Sequence, residues 1–164
     1  MVLYFVALIV TGLDQLIKWL VVTRLAINQA VAVIPGALDL FYIQNRGAAF
    51  SLFIDQRLLL IIVSLLVMAV IVYVERRHAK GRPDLKVALG LLFGGAAGNL
   101  IDRVRLGYVV DYVYLPFIHF PVFNLADSAI VLSILYLFVR FFFRSSSADQ
   151  QRNGRGGSHE QPGR

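Results

Sequence analysis

Four stretches of this sequence, at about residues 3–22, 58–74, 87–104 and 124–143, are apolar over the length of a bilayer crossing. A helix rises about 1.5 Å per residue, so about 17 to 20 residues cover most or all of the roughly 30 Å of hydrocarbon. Inside hydrocarbon every backbone polar group needs an internal partner, which leaves helices and closed barrels as the spanning solutions. The fold class that follows is an all-α integral membrane protein with four transmembrane helices. Hydrophobic residues make up 58% of the chain and charged ones 16%, against an apolar share of about 45 to 50% for soluble domains. The formal net charge is +6, but no basic stripe lies on a soluble face, so the charge reads as membrane orientation and nucleic acid is not expected as a partner.

The first span is interrupted by Asp14, Gln15 and Lys18 and lacks both a charged leader and an Ala-x-Ala site, which makes it a poor cleavable signal peptide. Asp14 and Lys18 stand four residues apart on one helix face and can pair there. Read simply, this is a self-neutralising ion pair with Lys18 snorkelling beside Trp19; the alternative is that both line a site. From 23 to 57 the chain turns to short apolar alternations around a Pro35-Gly36 turn, followed by Gln44-Asn45-Arg46-Gly47. This predicts a small strand-containing lobe outside the hydrocarbon. Its last part, residues 48–60, fits a short amphipathic surface helix with Phe50, Phe53 and Ile54 towards lipid. Asn45 so close to a glycine is most commonly a turn residue.

The second span carries no polar residue of note beyond Ser64, whose hydroxyl can bond back into its own helix. The loop after it packs Arg76, Arg77, Lys80, Arg82 and Lys86 together, the mark of a cytoplasmic side. In the third span Gly90, Gly94 and Gly98 recur every fourth residue, a small-residue face for close helix packing. That span ends in Asn99-Leu100-Ile101-Asp102-Arg103, where a surface pair of Asp102 with Arg103 is the simplest reading. Residues 145–164 are nearly devoid of apolar side chains and read as a disordered cytoplasmic tail behind a membrane domain at 1–144. Four spans put both termini on the cytoplasmic side, so the 23–57 lobe and the loop at 104–122 face outward together.

That outer loop and the start of the fourth span hold Asp111 and Asp127 among Tyr108, Tyr112, Tyr114, Phe117, Phe120 and Phe123, with Pro116 and Pro121 preventing one continuous helix. Carboxylates kept this close to hydrocarbon are a functional signal. Asn124 with Asp127 three residues on is also a capping-box arrangement for the fourth helix. The chain has no cysteine, and His78, His119 and His159 are scattered without ligand spacing, so no metal site and no cofactor are expected. Two acids sharing one proton, one serving as base to water and the other as donor to a carbonyl oxygen, are the chemistry best suited to these residues. A serine mechanism would need Lys18 to deprotonate Ser51 or Ser128, neither of which has an oxyanion-hole signature around it. Spacing alone leaves open whether Asp111 pairs with Asp102 or with Asp127.

Asp14-Gln15-x-x-Lys18, Asn45-x-Gly47-x-Ala49-Phe50, Gly98-Asn99-x-Ile101-Asp102-Arg103, Gly107-x-Val109-x-Asp111 and Phe123-Asn124-x-Ala126-Asp127 resemble, in order, the motif blocks of signal peptidase II, the bacterial lipoprotein signal peptidases. The resemblance implies an aspartyl endopeptidase of the bacterial inner membrane that cleaves diacylglyceryl-modified prolipoproteins just before the lipidated cysteine. It implies Asp111 and Asp127 as the catalytic pair, with Asp14, Lys18, Asn45, Gly47, Asn99, Arg103, Asn124 and Ala126 shaping the site. The expected partners are the lipidated substrate and membrane lipids, with the protein acting as a monomer and its active site at the outer face. The competing class is a small four-span transporter or channel subunit using Asp14 and Lys18, which would have little use for an outer lobe and an acid-bearing aromatic loop. Cleavage is expected to survive chelators, because no His, Cys or carboxylate cluster has ligand spacing; activity lost in EDTA and restored by a divalent ion would exclude the carboxylate-only chemistry.

Overall fold

The computed structural model describes residues 1–48, 52–118 and 120–156, with side chains up to residue 143. Four helices long and apolar enough to cross a membrane are present among them: α1 (Val2–Arg24), α2 (Arg57–His78), α3 (Pro83–Arg105) and α4 (Leu125–Gly156), whose apolar part is Leu125–Phe143. Between α1 and α2 lie β1 (Ala30–Ile34) and β2 (Leu38–Asn45), and between α3 and α4 lies β3 (Val109–Tyr114). The strands form one antiparallel sheet in the order β1-β2-β3.

Local chemistry accounts for most of the boundaries. Pro83 opens α3 with Asp84 in its first turn, which suits the missing N–H of proline and the positive end of the helix. Gly36, at φ +76, lets the β1–β2 hairpin reverse, and Ala37 N–H donates to the Ile34 carbonyl at 2.9 Å. α3 begins four residues earlier than expected and α2 ends four later, because the polar side chains there are partnered: Lys86 with Glu75 at 3.5 Å, and Asp84 with Tyr136 at 2.6 Å and with Arg140. α4 runs on through 145 to Gly156, into the stretch read as a tail; residues 157–164 lie outside the described residues.

Two expectations are corrected. Residues 52–55 form turns, with Phe53 and Asp55 at positive φ, and α2 starts directly at Arg57, so no surface helix spans 48–60 there; Ala49, Phe50 and Ser51 lie outside the described residues. The aromatic outer loop, read as irregular, contains β3, which closes the sheet and is buried along Val109, Val110, Asp111 and Tyr112. Its signal was the β-branched and aromatic run VVDYVY, masked by the two prolines that follow.

Helix α3 is the centre of the bundle: half of its apolar window is buried, against 28% for α1, 17% for α4 and 11% for α2. Lipid tails are as apolar as leucine, so close approach of backbones and interhelical hydrogen bonds must hold such a bundle. A Cβ added at Gly90 would stand 2.8 Å from the Leu3 carbonyl oxygen, one at Gly94 2.8 Å from Val10 Cβ, and one at Gly95 2.5 Å from the Ala126 carbonyl oxygen. The glycines therefore seat α1 on one side of α3 and α4 on the other. Thr11 Oγ1 donates to the Gly94 carbonyl at 3.0 Å and Ser133 Oγ to that of Ala88 at 2.7 Å, tying the same two seams. At the opposite end from the sheet, Leu3, Ile71, Ala79, Leu85 and Leu89 form one apolar cluster; under the sheet, Val21, Tyr42, Val110 and Tyr112 form the other.

Gly94→Leu is expected to lower the melting temperature in detergent by several degrees, since overpacking costs about 1 to 3 kcal/mol. Gly12→Leu, where nothing lies within 4 Å of an added Cβ, is the matched change and is expected to be tolerated. Equal melting temperatures for the two variants would show that the α1–α3 seam has slack.

Candidate active site

The ammonium of Lys18, 2% exposed, sits at the sheet end of the α1–α3 seam. Nζ contacts Asp14 Oδ2 and Asp102 Oδ2, each at 2.9 Å, and donates to Asn99 Oδ1 at 2.9 Å. Three donors meet three acceptors, so the buried charge has no unsatisfied proton. Its partners are tied in turn: Ala126 N–H donates to Asp14 Oδ1 at 3.0 Å, Val110 N–H to Asp102 Oδ2 at 3.1 Å, and Gln15 Nε2 to Asp102 Oδ1 at 3.0 Å. One cation thus joins α1 to the last turns of α3, to the first turn of α4 and to β3. The snorkelling reading of Lys18 is wrong, as is the surface pair of Asp102 with Arg103, because α3 places Asp102 against Lys18 at 3% exposure. Gly98 is also more than a helix-packing residue: a Cβ there would lie 2.5 Å from Asp14 Oδ2.

Three asparagines carry this frame to the two outer carboxylates. Asp127 N–H donates to Asn124 Oδ1 at 2.9 Å while Asn124 N–H donates to Asp127 Oδ2 at 3.2 Å, so the expected capping box is present. With its oxygen engaged in the cap, the Asn124 amide must direct Nδ2 inward, where it donates to Asp111 Oδ1 at 2.6 Å and Asn99 Oδ1 at 3.1 Å. Asn99 Nδ2 donates to Asp127 Oδ1 at 2.8 Å. From the lobe, Asn45 Nδ2 donates to Asp111 Oδ2 at 2.8 Å while its Oδ1 accepts from Gly47 N–H at 2.9 Å, so the turn role and the site role hold together. Arg103 closes the ring, with Nη1 to the Asn99 carbonyl at 3.4 Å and Nη2 to the Gly47 carbonyl at 3.2 Å. Asp14, Lys18, Asn45, Gly47, Asn99, Arg103, Asp111, Asn124, Ala126 and Asp127 therefore belong to one connected hydrogen-bonded network.

Asp111, Asp127, Asn45, Asn99 and Arg103 line the polar end of a cavity of about 1240 Å³. The rest is mostly apolar and extends between α2, α3 and α4 past Val63, Val67, Ala96, Ile130 and Ile134. Burial first, and then the charge of Asp127, push the Asp111 carboxyl up to about 7, against the opposing hydrogen bonds from Asn45 and Asn124 and the charge of Lys18. Tyr112, whose hydroxyl oxygen accepts from Leu125 N–H at 3.2 Å, is likewise shifted upward by burial. Ser128 Oγ donates to the carbonyl of Asn124 at 3.1 Å, and all three Lys18 donors have other acceptors, so the Ser128 and Lys18 alternative has no geometry; Ser51 lies outside the described residues. Among the described residues no group of three His, Cys, Asp or Glu is placed to hold a metal; His119 and His159 lie outside them.

Sequence reasoning missed Asp102, Gln15 and Gly98 as parts of the site, although all three stand in the quoted motif blocks, because their roles are contacts between helices distant in sequence. Tyr112 offered no signal beyond being one of several aromatics in a loop.

Residues 6–143 match the family model for signal peptidase (SPase) II. The chain is 37% identical over 153 residues to the lipoprotein signal peptidase of Bacillus velezensis, covering 92% of this chain and all of the relative. It is 44% identical over 139 residues to that of Halothermothrix orenii, covering 82% of this chain and 93% of the relative. A solved structure of a bacterial membrane enzyme superposes with a TM-score of 0.83 at 27% identity, covering 97% of this chain and 93% of its own.

Because folding raises the proton affinity of Asp111, the native state keeps a proton that the unfolded chain has released between the ordinary carboxylate range and about pH 7. Stability attributable to Asp111 therefore falls as pH rises through that window. Asp111→Asn removes this dependence, so its melting temperature relative to the unsubstituted protein is expected to be higher at pH 8 than at pH 5; a difference independent of pH would mean that Asp111 is not protonated in the fold.

Proposed function

Because the chain belongs to the signal peptidase II family, we propose that it removes signal peptides from prolipoproteins by aspartyl catalysis, with Asp111 and Asp127 as the pair that does the chemistry. It is a multi-pass membrane protease acting on prolipoproteins. What carries the aspartyl reading is that both carboxylates open onto one cleft and are held from behind by shared amides, Asn124 touching both and Asn99 touching Asp127.

In this mechanism Asp127 takes a proton from a water whose oxygen attacks the scissile carbonyl carbon, while Asp111 gives its proton to the carbonyl oxygen. The tetrahedral diol collapses when Asp127 returns its proton to the leaving amine and a hydroxyl proton goes back to Asp111, which restores both groups. No covalent intermediate and no metal are required. Arg103, anchored through two backbone carbonyls, supplies a cation to the cleft beside the two acids. The apolar extension between α2 and α4 suits the acyl chains of a diacylglyceryl-modified substrate, each buried CH₂ contributing about 0.8 kcal/mol.

The basic groups at Arg76, Arg77, Lys80, Arg82 and Lys86 and at Arg140 and Arg144 support an orientation with the opposite end of the bundle in the cytoplasm and the cleft at the outer face of the inner membrane. An ion path through Asp14 and Lys18 is not favoured: both are buried and bonded to Ala126, Asp102 and Asn99.

The test is cleavage of a lipidated precursor, per unit of folded, membrane-inserted protein. Asp111→Asn and Asp127→Asn are each expected to abolish turnover, and the double change to be no worse than either, because the pair acts as a unit. Asp102→Asn is expected to reduce the amount of folded protein, since it weakens the Lys18 site, but to leave measurable cleavage in what folds. Near-normal rates for Asp111→Asn beside an inactive Asp102→Asn would move the reaction to the end of α3.

A further inference from the structure

Arg57 is the first residue of α2, yet its guanidinium serves α3. Nε donates to the carbonyl of Arg103 and Nη2 to that of Val104, each at 2.7 Å. Both acceptors lie in the last turn of α3, where helical carbonyls have no partner within the helix and where a cation meets the negative end of the helix dipole. The planar fork engages both at once, which an ammonium on a flexible stem does not do in the same geometry. Beside it, Gly107 reverses the chain at φ +85, and a Cβ added there would lie 3.6 Å from Nη1 of Arg57. The guanidinium, the last turn of α3 and the reversal into β3 thus meet at one corner.

Two of the cleft's charged groups leave from that corner. Arg103, whose own carbonyl Arg57 holds, reaches into the cleft and bonds the Gly47 carbonyl, and β3 brings Asp111 into the same cleft a few residues beyond Gly107. Arg57 also follows directly on the turns at 52–55, which are bonded back to the end of β2 by Asp55 N–H on the Arg46 carbonyl at 3.3 Å. The cavity itself runs between α2, through Val63 and Val67, and α3, through Ala96 and Asn99. The spacing of these two helices at the outer end is where Arg57 acts.

We propose that Arg57 is a positioning residue for the reaction: by clamping the last turn of α3 to the start of α2 it holds Arg103 in the cleft and keeps the cavity mouth open beside Asp111 and Asp127. This rests on the aspartyl reading above and adds to it a residue that reaches the hydrogen-bonded network of the site only through the backbone of Arg103. An exposed helix cap would be replaceable by water or by lysine; a clamp acting through Arg103 would not.

The experiment uses the purified full chain and a lipidated precursor, with rates per folded molecule and melting temperatures measured for Arg57→Ala, Arg57→Lys and Arg103→Lys, and for Arg57→Ala combined with Arg103→Lys. Arg57→Ala is expected to lower kcat/KM about tenfold and to divide the loss between kcat and KM as Arg103→Lys does, while Arg57→Lys recovers less than half of it on a logarithmic scale. Added to Arg103→Lys, Arg57→Ala is expected to cost less than about twofold, since residues acting through one group are not additive. A lowered melting temperature with an unchanged rate per folded molecule, or the full tenfold loss repeated on the Arg103→Lys background, would make Arg57 a helix cap only. Should Arg57→Ala fail to fold, Arg57→Lys decides alone, and an unsubstituted rate for it overturns the proposal. Asp111→Asn measured alongside keeps the two readings apart, since cleavage surviving there removes the aspartyl mechanism whatever Arg57 does.

Discussion

A single buried ammonium organises the half of this molecule that carries the sheet. A lysine inside a bundle is costly unless each of its protons has an acceptor, and partners of opposite charge must themselves be held in place. Lys18 meets this with Asp14, Asp102 and Asn99, and each partner brings another element with it: α4 through Ala126, β3 through Val110, and Asp127 through the second end of Asn99. Breaking one link leaves a buried charge or amide without a partner, so α1, α3, α4 and β3 are held in one arrangement even though lipid supplies little drive for helices to associate.

The same economy of partners aims the two outer acids. Asn124 has one oxygen and one NH₂ group, and the N-terminus of α4 takes the oxygen; the amide therefore presents its donors to Asp111 and Asn99. Helix capping, ordinarily a local matter of stability, here sets the direction of a side chain in a cleft. Asn45 does the same from the other side, closing a turn with its oxygen and holding Asp111 with its nitrogen. Burial and the neighbouring Asp127 raise the Asp111 carboxyl to about 7 against the opposing amides and the charge of Lys18, so it keeps its proton well above the ordinary carboxylate range.

The cleft joins two environments. Its polar end is built from helix ends and from the strands β2 and β3, where backbone groups are available for bonding; its apolar extension is lined by α2, α3 and α4. The small sheet bridges them, since β2 contributes Asn45 at its last residue and β3 contributes Asp111 two residues into the strand, with Ile43 opposite Asp111 in the register. Arg57 stands where this outer layer meets the bundle.

Hydrophobic length, the Pro-Gly turn, the capping pair at Asn124 and Asp127 and the small-residue face of α3 are properties of neighbouring residues, and they were legible in the sequence: four spans, a strand-containing lobe after the first, a capped fourth helix. The motif blocks also named residues that the fold joins in one hydrogen-bonded network, because a resemblance to a family carries information that periodicity does not. What tertiary structure alone decided was which partner each polar group took. Asp102 could have faced Arg103, water or Asp111 on spacing alone, and it faces Lys18 because α1 crosses α3 where Gly98 leaves room for the Asp14 carboxylate. β3 was hidden because a strand is defined by its pairing with β2, more than sixty residues away in the chain. Burial and the choice between partners distant in sequence are set by the packing of whole helices, and no local pattern encodes them.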